Sequence, residues 1–151
     1  MLMDKRTQFA AAVAIGGSTG RRLVGDVIDL ENIRDIGGPN NVYLVVQLAV
    51  AMTSGGSATV AIELASDAAA AIATDGSATV HATSDTFDFD AVAVGDTLFQ
   101  IAIPPEKAGA IYERYLGILV NVGVAALTAG SINAFLTLQP PMHKHYPDGD
   151  R

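Results

Sequence analysis

Few residues in this chain have the type and spacing for chemistry. Gly16–Gly20 reads GGSTG, the spacing of a hydrolase nucleophile turn, where glycines let a serine sit on a strained strand-to-helix bend. Ser18 would be the nucleophile there, with His81 or a tail histidine as its base. The context argues otherwise, because an Ala-rich stretch precedes the motif and Arg21, Arg22 and a strand pattern follow it. The same five residues read instead as a flexible joint between an N-terminal arm and the body, and no Lys-Ser/Thr pair closes them into a phosphate loop. Asp85, Asp88, Asp90 and Asp96 crowd the stretch SDTFDFDAVAVGD, and such oxygen-rich clusters can hold Ca²⁺. The calcium-loop spacing, with a central Gly and a terminal Glu, is missing. Asp88 and Asp90 also alternate with Phe87 and Phe89, as in a solvated strand face. His143 and His145 (HKH) could ligate a metal in an extended tail, but no third ligand is evident. His81 reads as a half-buried, hydrogen-bonded strand histidine. Tyr43, Tyr112 and Tyr115 read as core tyrosines with the hydroxyl at the edge. The expectation is a protein with no active site, no cofactor and no metal.

The elements that would position these residues follow a period of two. Asp26–Leu30, Val42–Val50, Ala58–Ser66, Ala78–Thr83, Thr97–Ile103, Arg114–Val124 and Ser131–Leu138 are short, β-branched and partly alternating, as strands are. In the last of them Ile132 is out of phase with Phe135 unless a bulge intervenes. Between the runs lie IGGPNN, SGGS, DGS and GD, and Pro104–Pro105 ends one run; these are turn signals. Crossover helices are missing, so a parallel sheet is disfavoured and a sandwich or barrel is expected. Phe9–Ile15 and Asp67–Ala73 lean on Ala and are the only weak helical candidates. The expected layout is an N-terminal arm and joint (1–20), a β body (21–139) and a polar tail (140–151).

Composition narrows the function classes. The 151 residues suffice for one domain, which buries roughly 68–70% of its unfolded surface. The absence of Cys excludes disulfides, thiolate metal sites and thiol nucleophiles. Half the residues are hydrophobic and only 17% are charged, which leaves apolar surface for a subunit interface. The net charge of -7 disfavours nucleic acid. All of it lies in residues 41–110, where one base faces eight acids, while both flanks are balanced. Val42–Met52 and Ile111–Val124 fall short of the ~20 apolar residues a membrane span needs. Lys5 and Arg6 before Phe9–Ile15 faintly mimic a secretory leader, but Asp4 spoils the basic flank.

Met1–Lys5 (MLMDK), Val27–Leu30 (VIDL) and Arg34–Gln47 (RDIGGPNNVYLVVQ) resemble the capsid cement, or decoration, proteins of tailed bacteriophages of the Bordetella-phage type. Ile103–Pro105 (IPP), Arg114–Leu116 (RYL) and Gly130–Leu138 (GSINAFLTL) fit the same pattern, in order, over nearly the whole chain. The Ala-rich stretch Asp67–Ala73 and the segment after Pro140 depart from it. The resemblance implies an all-β sandwich of jelly-roll type. It implies a homotrimer on the outer surface of an icosahedral head, assembled in the host cytoplasm, that clamps the major capsid protein. Contact candidates are Asp4, Lys5, Arg6, Arg21, Arg22, Arg34 and Asp35, because mixed charge suits a polar rim and Arg is favoured at interfaces. The alternative is a receptor- or glycan-binding jelly roll of the virion, which would show a groove with aromatics beside acids.

Overall fold

The computed structural model describes residues 5–32, 35–37 and 41–140. Nine strands follow a short 3₁₀ turn, Lys5–Thr7: β1 (Gln8–Ala14), β2 (Gly20–Asp29), β3 (Tyr43–Ser54), β4 (Thr59–Asp67), β5 (Thr79–Thr83), β6 (Phe87–Asp88), β7 (Thr97–Ala102), β8 (Tyr115–Gly123) and β9 (Leu127–Thr137). They form two antiparallel sheets. Sheet A has the order β1-β9-β3-β7, and sheet B has the order β2-β8-β4-β5 with β6 also on β4. Every connection except those among β4, β5 and β6 crosses between sheets, which is the winding of a jelly roll with two Greek keys. Ser84 bridges the break between β5 and β6, since its hydroxyl accepts the Ile62 N–H and its own N–H donates to the Ile62 carbonyl.

The facing sides of the two sheets make the core. Leu44, Val46, Leu48, Ile132 and Ala134 of sheet A meet Val60, Ile62, Leu64, Ile118 and Val120 of sheet B, all essentially inaccessible. Full burial of each such side chain is worth about 1.5–3 kcal/mol. The phase conflict in β9 needs no bulge, because residues 132–137 pair with β3 in unbroken register. Phe135 instead points to the outer face beside Val45, and both are buried there. The outer face of sheet B is covered as well. The link between β4 and β5 folds back over it and sets Ile72 on Ala65 and Leu119. The missing side chain of Gly117 makes the room, since a Cβ there would lie 2.5 Å from Ile72 Cδ1.

Two sequence expectations change. Phe9–Ile15 is neither helix nor detached arm. Gln8–Ala14 is an edge strand on β9, and Phe9, Ala10 and Ile15 are buried. Asp67–Ala73 is not helical either. The Asp67 carboxylate accepts the Ala69 and Ala73 N–H groups and ties the segment into turns, and these bonds hold its pKa below the usual carboxylate value. The tail 141–151 lies outside the described residues.

Candidate contact surface

The alternating directions of the strands sort the loops to two ends. One end carries the β1–β2, β3–β4, β6–β7 and β8–β9 links. The other carries the described residues of the β2–β3 link (30–32, 35–37 and 41–42), residues 68–78 and residues 103–114, with the 3₁₀ turn beside them. At this second end the segments singled out in the sequence come together. The Leu30 N–H donates to the Arg114 carbonyl at 2.8 Å. Arg114 grips the Asp29 carboxylate in a fork, with Nε at 2.9 Å and a terminal nitrogen at 2.8 Å, and its guanidinium lies 5.0 Å from the Tyr115 ring centroid. The Arg114 fork, with the Glu31 N–H, pulls the Asp29 carboxyl down to about 2. Asp29 in turn pushes the Arg114 guanidinium further up. Gly37 lies so close to Pro104 that a Cβ would sit 2.3 Å from the Pro104 carbonyl oxygen.

Beneath this end lies a stacked pair. The His81 ring stacks on Tyr112 at 3.8 Å between centroids, with an interplanar angle of 12°. Tyr112 is fully buried, and its hydroxyl donates to the Pro104 carbonyl at 2.7 Å. Burial pushes the Tyr112 phenol up, and Asp35 and Glu106 add to this. His81 Nε2 lies 2.8 Å from the Ser66 hydroxyl, which also accepts the Glu113 N–H at 3.0 Å. Ser66 is completely buried, and this Ser–His pair ties β4 to β5 and to the link that precedes β8. Burial, and then Lys107, lower the His81 pKa to about 4.

That shift sets a pH dependence. The fold holds the neutral imidazole, so its contribution is complete above the ordinary value of 6.5 and lost as pH falls towards 4. The loss should be on the order of 1–2 kcal/mol once half exposure is discounted. Denaturant unfolding of the wild type should weaken across this window, and His81→Phe, which stacks but does not titrate, should not. An equal slope in both proteins would exclude His81 as the cause.

Beside the second end, the margins of β1 and β2 enclose an open groove of about 540 Å³. Lys5, Arg6, Gln8, Asp26, Val27, Ile28, Asp29 and Glu31 line it. Its walls thus carry both charge signs and no aromatic ring. Glu31 sits at a φ of 63° in a tight turn closed by the Asn32 N–H on the Leu30 carbonyl, a strained conformation.

The seven contact candidates separate. Lys5 and Arg6 share the groove with Asp29. Asp35 is exposed at the second end, where it accepts the Gly37 N–H at 2.9 Å. Arg21 lies on sheet B, 2.9 Å from Glu63, whose side chain is 4% exposed. Arg22 lies at the first end and bonds the carbonyls of Gly16 and Ser18. It makes the GGSTG segment a fixed turn, and a strand follows Ser18 where a nucleophile turn would start a helix. Asp4 and Arg34 lie outside the described residues. Among the described residues no three His, Asp or Glu side chains converge as a metal site. Asp96 instead accepts the Ala93 N–H. Sequence reasoning passed over Arg114 and Asp29, although RYL and VIDL were among the segments that carried the resemblance.

Residues 9–136 match the Bbp16 family. No curated protein matches the chain.

Proposed function

This chain belongs to the Bbp16 family, a family of Bordetella phage proteins, and from that premise we propose that it is the head's cement: a non-catalytic homotrimer on the outer capsid surface that clamps the major capsid protein. It is a virion protein with a jelly-roll body. The family match over most of the chain carries the reading. The mixed-charge groove supports it, because such a rim suits a polar protein surface. The buried Ser66 favours a structural over a hydrolytic role. The groove lacks the aromatic wall that a glycan reader would use, and the acidic chain disfavours nucleic acid. Binding only to the assembled lattice would stabilise that lattice by mass action, by about 2.7 kcal/mol per site at a hundredfold excess over Kd.

Purified protein added to undecorated heads should bind saturably and raise their melting temperature. Lys5→Glu combined with Arg6→Glu should weaken that binding roughly tenfold, as expected for two rim charges. A protein that leaves the head's melting temperature unchanged at saturating concentration is not its cement.

A further inference from the structure

The two sheets differ in charge. None of β1, β3, β7 and β9 contains an Asp, Glu, Lys or Arg. Sheet B carries Arg21, Arg22, Asp26, Asp29, Glu63, Asp67 and Asp88. Sheet B also has its outer face covered by the Ile72 segment. On sheet A, Val45 and Phe135 are buried on the outer face near the second end. Towards the first end that face lies open, with Val50, Ala51, Thr53, Thr128 and Ala129 exposed, Val50 to 50%. The Thr53 and Thr128 hydroxyls satisfy each other at 2.7 Å, so this part of the surface presents methyl groups more than free polar atoms.

We propose that the open, uncharged part of sheet A is where copies of this chain meet one another. This rests on the self-association in the reading above and adds which surface performs it. Each copy carries a net charge of -7, so copies repel at long range. In a closed ring, surfaces near the axis face copies of themselves. A charge there would meet its own kind, which is costly when desolvated. An acidic chain therefore assembles best through a surface without charges, and sheet A supplies one. A lattice partner, by contrast, is favoured by opposite charges, which sheet B and the groove supply. Three strands at ~4.8 Å spacing over roughly 13 Å make an open area on the order of 200 Å². That is about a quarter of the ~800 Å² each partner contributes to a stable complex, and each copy in a ring makes two contacts.

The test is sedimentation of the full chain, with thermal melting as the check on folding. The wild type should sediment as an oligomer. Ala51→Glu, and separately Ala129→Glu, should each raise its dissociation constant roughly tenfold or more. Ala70→Glu, an equal charge on the exposed link over sheet B, should leave the oligomer unchanged. If one face variant fails to fold, the other carries the result. Face variants that fold and remain as oligomeric as the wild type would overturn the assignment and leave self-association standing. A wild type that is monomeric at every concentration would overturn self-association itself.

Discussion

Gly25→Ala should cost about 4 kcal/mol, a large share of the 5–15 kcal/mol that holds a domain of this size. Gly25 lies in the irregular part of β2, between Val24 and Ile28, where the pairing with β8 shifts register. Its φ is 74°, and a Cβ there would fall 2.0 Å from the Phe9 carbonyl oxygen and 2.9 Å from its carbon. The left-handed backbone alone costs a non-Gly residue about 1–2 kcal/mol. The overlap with a main-chain carbonyl is worse, because no rotamer change relieves it. β1 would have to leave β2, exposing Phe9 and Ala10, each 1% accessible. Gly95→Ala is the contrast. Its φ is 92°, but nothing lies within 4 Å of the added carbon, so only about 1–2 kcal/mol of strain is expected. Urea titrations of both variants measure the difference. Equal midpoints would mean that β1 does not close on β2 at Gly25.

Tyr112→Ala should be nearly as damaging, at about 3–5 kcal/mol. The ring is completely buried and stacks on His81. Removing it leaves a cavity, deprives the Pro104 carbonyl of its donor and frees the 103–114 link from the end of the sandwich. Tyr112→Phe separates these effects. It keeps the stacking and loses only the hydroxyl bond, so about 1 kcal/mol is expected. Thermal unfolding of the pair gives the partition. If the two variants were equally destabilised, the hydrogen bond, and not the packed ring, would hold that end. Tyr112→Ala should also flatten the acid response of His81, whose lowered pKa depends first on burial.

The strands β3, β4, β7 and β8 were legible because Val, Ile, Leu and Phe recur in them at strand spacing, and local preference and final environment agree. β1 was not legible. Its sequence QFAAAVA carries no β-branched run, and Ala favours helix when nothing else acts. What makes it a strand is β9, with Gln8 opposite Phe135 and the Ala12 N–H held by the Asn133 side chain at 2.7 Å. The ion pairs were hidden for the same reason. Arg114 and Asp29 are 85 residues apart, and Arg21 and Glu63 are 42 apart, so no window of sequence contains both partners. Arg21 and Arg22 looked like free interface cations because their internal partners could not be seen.

By itself, the sequence determined that this chain would be antiparallel β and that its acids would crowd the middle of the chain. Those are properties of composition and period, which each residue carries wherever the chain goes. Only the tertiary structure decided that β1, β3, β7 and β9, none of which carries a charge, would gather in one sheet, and that Lys5 and Arg6 would share a groove with Asp29. Neighbours in a jelly roll come from opposite parts of the chain, and pairing energy, recovered only once the long loops close, selects them.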